Sequence, residues 1–366
     1  VLTLAHPKNE FYAHKLSQSD REPVVAETRF SQTFVWELGE VDTLEPLPHA
    51  LPRSERSQRL VVSSLESWAE FYGFAQRVFD GVDEVDANTR RWVVEQTKGL
   101  DSDVERLRVL YEALCDMRYL TKPIGLRALR PHTPAEVLAH NYGDCKDKAN
   151  ALVSFARVLG IEGHFVLLNR TQSTDKTFPS WQFNHALAYF PELEGFPNGL
   201  WLDPTDRGTP FASLPPGDFG RTGMVFTEDD YYFKQTFLGD ATTNKISNSL
   251  DFSMDGERLE GTMTLVAEGY PAYDYRTRFR FASGERRQLM AQQIVDEILP
   301  MVEAEQVRYE EINTAGTRIK LVIDISGGFP AYSLGRINTP MQLWQYFSSP
   351  SRGYTTRIND GQPVEI

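Results

Sequence analysis

The sequence predicts an α+β fold: a helical lobe packed on an antiparallel sheet, with β-rich segments on both sides. Three observations predict it. Residues 1–64 are rich in strand formers. The stretch that follows, to residue 160, carries apolar residues at helical spacing. Residues 161–235 return to short apolar runs separated by turn residues. After about 240 the composition shifts again. With 366 residues the chain exceeds a single core. It divides on this reading into a β-rich segment (1–64), a core with a helical lead-in (65–238) and a C-terminal β-rich segment with one helix (239–366).

The elements follow in order. "VVAETRFSQTFVWEL" (24–38) and "LVVSS" (60–64) read as strands, and the three-proline stretch 44–58 between them reads as a loop. Residues 64–79 read as a helix opened by Ser64, with Trp68, Phe71, Tyr72 and Ala75 on one stripe. In 101–120, Val104, Leu107, Leu110, Tyr111, Leu114 and Cys115 share a helical face. Thr133, Pro134 and Glu136 form a capping-box start. A further helix opens at Cys145. It has its stripe at Ala149, Leu152, Val153, Ala156 and Leu159, and it ends at Gly160. Strands follow at 164–169, 183–190 and 199–205, with a hairpin loop at 193–199. In the last segment Leu250, Phe252 and Met254 alternate, Asp255-Gly256 turns, and Leu259, Met263 and Leu265 return. A helix over 283–302 and a strand over 317–326 complete it.

Composition excludes several roles. Acids outnumber bases 51 to 38, and the net charge of −13 repels nucleic acid and anionic membranes. No apolar run reaches the ~18 residues that a spanning helix needs. Two cysteines make no disulfide framework. There is no phosphate loop, dinucleotide fingerprint, calcium loop or Cys/His metal cluster, so neither cofactor nor metal is expected. The chain starts at Val1, which reads as a fragment or a processed form.

Cys145 stands out. Cys115 lies on an apolar helical face and reads as a small core residue. Cys145 instead sits among Gly143, Asp144, Lys146, Asp147 and Lys148. Asp144 suits an N-cap, which places Cys145 at the first helical position. Partial positive charge there stabilises a thiolate, and the Cys145 N–H is placed to donate to an oxyanion. Such a thiolate needs a base. On a period-2 strand Phe183, His185, Leu187 and Tyr189 share a face, as do Trp201 and Asp203 on the next. If 183–190 and 199–203 pair, Asp203 lies beside His185 and orients its ring.

Together "GDCKDKANALVSFARVLGI", "FNHALAYF" and "WLDPTD" resemble the transglutaminase-like branch of the papain-type cysteine enzymes. More narrowly, they resemble bacterial proteins in which a β-rich N-terminal domain precedes such a core. The resemblance covers roughly residues 25–235 and implies a papain/transglutaminase-like core with Cys145, His185 and Asp203 as its three motif residues. Against that pattern the N-terminal domain reads as cut short. The resemblance implies acyl transfer on a peptide or protein amide, with hydrolysis preferred because nothing marks an amine site. Crosslinking or deamidation of protein glutamine is the alternative. Outside catalysis stand a peptide-binding scaffold and a redox-sensing cysteine. The family also implies export to the periplasm or cell surface. The upstream oxyanion donor falls to Tyr119, Trp181 or Asn184. Lys146 could favour the ionised thiol, Asp147 could brace the first turn, and Asp206 and Arg207 could bind substrate or close a turn.

Overall fold

The computed structural model describes residues 1–38, 53–121, 129–237, 244–255, 258–280, 282–299, 301–311 and 318–328, and four two-residue strands beyond them. It divides into two compact units. One comprises Val1–Asp206 with Phe211–Gly239, and the other Arg207–Pro210 with Asp240–Ile366.

The first unit opens with β1 (Leu2–Pro7), β2 (Ala13–Ser17), β3 (Val24–Glu27) and β4 (Ser31–Trp36), then the single-turn α1 (Arg53–Arg56) and β5 (Arg59–Ser63). β4 pairs with β1 and β3, and β2 pairs with β5, all antiparallel. The expected strand over 24–38 is thus a hairpin, broken at Thr28-Arg29-Phe30, where Thr28 Oγ1 takes the N–H groups of Phe30 and Ser31. Most of the expected 44–58 loop lies outside the described residues.

Helices follow: α2 (Trp68–Phe79), α3 (Ala87–Gln96), α4 (Asp103–Asp116), then β6 (Arg118–Tyr119), α5 (Pro134–His140), β7 (Tyr142–Gly143) and α6 (Cys145–Val158). α2 starts later than expected because Ser67, not Ser64, accepts the Glu70 N–H as N-cap; its buried stripe is the expected one. α3 has a weaker apolar stripe and went unread. The Thr133–Glu136 capping box and Pro134 at the first turn form as expected. Gly160, at φ +77°, ends α6 in the left-handed region.

The sheet is antiparallel, in the order β10-β9-β8-β11-β12, built from β8 (His164–Leu168), β9 (His185–Phe190), β10 (Leu200–Leu202), β11 (Thr222–Phe226) and β12 (Tyr231–Gln235). On one face Ala188, Phe190, Leu200 and Leu202 meet α4, α5 and α6, and Leu167, Ala186, Met224 and Phe226 meet α2. The other face buries Val166, Leu187, Tyr189 and Trp201 with Leu214. Each fully buried aliphatic side chain contributes about 1.5–3 kcal/mol, and this double burial explains why every β9 residue is buried.

The second unit is a sheet in the order β13-β14-β16-β15, from β13 (Lys245–Asp255), β14 (Arg258–Glu268), β15 (Val302–Glu311) and β16 (Arg318–Gly328). Among the described residues it carries two helices, α7 (Tyr270–Phe279) and α8 (Gly284–Ile298), where one was expected. α8 ends before Leu299, and the end of the expected 283–302 helix instead opens β15 at Val302. Residues 256 and 257 of the expected turn lie outside the described residues; β13 and β14 pair up to Asp255↔Arg258. No helix among the described residues is long and apolar enough to cross a membrane.

Candidate active site

Four sheet strands bring their chemistry to one end of the sheet. β8 ends at Leu168, opposite the start of β9 at His185. β10 runs antiparallel to β9 with Leu202 opposite Ala188, so Asp203 follows opposite Leu187, one diagonal step from His185. β11 begins at the same end, just after the short helical turn Pro216–Asp218. Arg170, His185, Asp203 and Asp218 therefore converge. Phe183 does not share the His185 face as expected. The strand starts at His185, and Phe183 packs on Trp68 and Phe71 instead.

Cys145 enters from α6. Its helix start is closed by a reciprocal box: Asp144 accepts the Asp147 N–H at 3.4 Å, and Asp147 accepts the Asp144 N–H at 3.0 Å. Gly143 allows this closeness, since a Cβ there would stand 2.9 Å from Asp147 Cβ. Asp147 also accepts the His132 N–H at 2.8 Å and meets His132 Nδ1 at 2.9 Å. Burial raises the Asp147 carboxyl, but these hydrogen bonds outweigh it and hold it below its ordinary value. Asp144 is raised, by burial and by the neighbouring Asp147 charge. Lys146 pairs with Asp144, so its cation serves the cap. Lys148 is buried and donates to the Met117 carbonyl at 2.8 Å. Asp147→Ala would strand the N–H groups of Asp144 and His132. The expected loss of about 2–4 kcal/mol lowers the thermal midpoint by roughly 5–10 °C. A circular-dichroism melt within a degree of wild type would show the brace to be idle.

Cys145 is half-buried, with Phe183 and Ala186 in the cluster it packs against. His185 Nε2 lies 2.9 Å from Asp203 Oδ2, which leaves Nδ1 for the thiol. Burial pulls the His185 pKa down. The Asp203 charge and hydrogen bond, with a hydrogen bond to Cys145, overcome that and push it up to about 10, against a lowering by Arg170. For Asp203 burial works upward, and His185 and Arg170 together hold it far below its ordinary value. Asp203 Oδ1 accepts the Thr205 N–H at 3.0 Å.

The three oxyanion candidates fare differently. β6 and β7 pair in parallel with Tyr119 opposite Gly143, two residues before the thiol. Tyr119 is half-exposed, yet its hydroxyl is near enough to Cys145 to feel it: burial of the hydroxyl first, then the Cys145 charge, push its pKa up to about 12. Trp181 is 46% exposed, its ring 5.2 Å from that of Phe71. Asn184 turns to the neighbouring loop, accepting the Arg170 N–H at 3.0 Å and donating to Thr171 Oγ1 at 3.2 Å. Asp206 and Arg207 flank turns that follow Asp203.

Residues 90–201 match the Transglutaminase-like superfamily. This stretch is a transglutaminase-like core. It contains Cys145 and His185 and stops just short of Asp203. Among solved structures, a candidate protease from Parabacteroides distasonis ATCC 8503 is 11% identical, with 89% of this chain and 65% of that one covered and a TM-score of 0.49. The chain thus spans just under two thirds of that protein's length. Legionella pneumophila LapG is 16% identical over 46% of this chain and 88% of its own, with a TM-score of 0.27. A candidate cysteine protease from Cytophaga hutchinsonii is 9% identical over 64% of this chain and 81% of its own, with a TM-score of 0.27. No curated protein matches the chain.

Sequence reasoning missed Arg170, inside this matched stretch, and Asp218, beyond it. Their signals were a cation directly after the apolar run "HFVLLN" and an acid inside "PPGDFG". His185, Asp203 and Asp218 are also, among the described residues, the group whose ligand atoms lie close enough for a metal, within 4.8 Å of one another. The Arg170 guanidinium already sits on both carboxylates and supplies the positive charge there.

Proposed function

We propose that the transglutaminase-like core is a cysteine-dependent acyl-transfer enzyme acting on a peptide or protein amide, with hydrolysis as the net reaction. The observation that carries this reading is the chain of contacts from the α6 N-terminus through Cys145 and His185 to buried Asp203. The Cys145 thiolate attacks the amide carbonyl carbon. The Cys145 N–H and the Tyr119 hydroxyl receive the oxyanion. Protonated His185 gives its proton to the departing nitrogen, the C–N bond breaks, and an acyl thioester remains on sulfur. Water then attacks the thioester as His185 takes its proton, and collapse releases the acid and the thiolate. Asp203 holds the ring and stabilises its charged form. An amine in place of water would give crosslinking by the same steps.

The test is to trap a peptide-library acyl group on Cys145 by rapid acid quench and identify it by mass spectrometry. Failure to find any acyl-Cys145 under turnover conditions would defeat the reading. Tyr119→Phe should lower kcat by roughly 10²–10³-fold with little change in KM, since the lost donor acts on the transition state. Alkylation of Cys145 should persist in that variant. An unchanged kcat removes Tyr119 from the mechanism.

A further inference from the structure

The three-residue mechanism leaves two charged groups at its own base without a task. Arg170 donates through Nε to Asp218 Oδ1 at 2.6 Å and through Nη2 to Asp218 Oδ2 at 2.9 Å. The same Nη2 donates to Asp203 Oδ2, the oxygen that faces His185 Nε2. Asp203 and Asp218 are both fully buried. We propose that Arg170 and Asp218 are positioning residues for the His185–Asp203 pair: a guanidinium fork anchored on one buried carboxylate fixes the other against the imidazole and sets the charge that the imidazole feels. This rests on the reading of Cys145 and His185 as a thiolate–imidazolium pair.

The geometry explains why two extra charges are tolerated. A buried carboxylate with one imidazolium partner would turn about its own bond; Arg170 and the Thr205 N–H fix both Asp203 oxygens. An unbalanced guanidinium there would repel the imidazolium, and Asp218 offsets that charge. Arg170 is in turn held by the Asn184 amide, which accepts its backbone N–H. Asp218 is held through its own backbone, whose carbonyl accepts the Thr236 hydroxyl. The charged and titratable groups around the pair are Cys145 of α6, which reaches His185, and Tyr111 and Cys115 of α4, which feel the charges of both Asp203 and Asp206. Both α4 groups are pushed upward, by burial first, so they stay neutral near pH 7. Burial also raises Asp218, to about 6, against the pull of the Arg170 fork. Below that pH the anchor loses its charge.

The experiment follows the His185 ring by NMR with isotope-labelled histidine, and Cys145 alkylation by iodoacetamide, against pH in the full chain. Asp218→Asn removes one negative charge at nearly constant shape, and the His185 midpoint should fall by about one pH unit. Arg170→Met removes the positive charge, and the midpoint should rise. Arg170→Lys keeps the charge but not the fork; it should hold the midpoint near wild type and lower kcat about ten-fold. A purely structural role would not move the midpoint in opposite directions. Asp218→Asn, which keeps the shape, decides the case if Arg170→Met does not fold. An unmoved midpoint in that variant, with Cys145 still fast to alkylate, overturns this proposal alone. Cys145 alkylating no faster than an unfolded thiol overturns the catalytic reading beneath it.

Discussion

Cys145→Ala is expected to abolish amide turnover, by roughly 10³–10⁶-fold, the scale of losing a nucleophile that acts as part of a unit. It should also remove the iodoacetamide-reactive thiol near neutral pH. Cys115→Ala should do neither. Burial pushes the Cys115 thiol up to about 12, and it lies in the core cluster of α4, α5 and α6. The comparison is clean because the two cysteines are the only ones in the chain. Peptide mapping after alkylation checks it. Turnover by Cys145→Ala within ten-fold of wild type would place the nucleophile elsewhere.

Asp203→Ala should strike chemistry and stability together. Without the carboxylate the imidazole loses its orientation, and kcat should fall by roughly 10⁴-fold. The variant also leaves Arg170 and His185 facing a vacated, fully buried position, at a cost of about 3–5 kcal/mol. The pH dependence has a definite sign. His185 is raised from 6.5 to about 10, so its contribution is full below about 6.5 and is lost as pH rises toward 10. Asp203 is lowered from 3.8, so its contribution is full above that value and is lost as pH falls below it. These are two ends of one ion pair and count once. The stability gap between wild type and Asp203→Ala should therefore be widest between about pH 4 and 6.5 and narrow by pH 10. Thermal melts across that range measure it. A gap that stays constant to pH 10 would contradict the pairing.

Local signals carried most of what could be read beforehand. The Asp144 cap, the Thr133 capping box and the Gly160 stop are written within a few residues of the helices they bound. His185 and Asp203 were legible as neighbours because a hairpin converts short sequence separation into adjacency. Arg170 and Asp218 were not. Their meeting depends on β8 and β11 being adjacent, a pairing between strands far apart in sequence that no local pattern announces. Tyr119 was proposed by resemblance; what brings it to the thiol is a two-residue parallel pairing with Tyr142-Gly143, too short to leave a periodic trace. α3 was missed because its face is mostly polar, with Thr89 and Val93 its buried residues. α8 was overextended because the apolar residues of its end and of β15 run together in sequence.

The loop from Arg170 to Gln182 leads directly into His185, and it is tied down from outside the core. Lys15 of β2 pairs with Asp175, Arg59 of β5 donates to Gln172 at 2.6 Å, Glu55 of α1 accepts the Ser173 N–H at 2.7 Å, and Trp68 donates to the Lys176 carbonyl at 2.8 Å. Each tie joins segments more than 100 residues apart in sequence. The conformational entropy of that loop is thus given up once, when the chain folds, and under the proposed function a substrate would meet an approach to the imidazole that is already ordered.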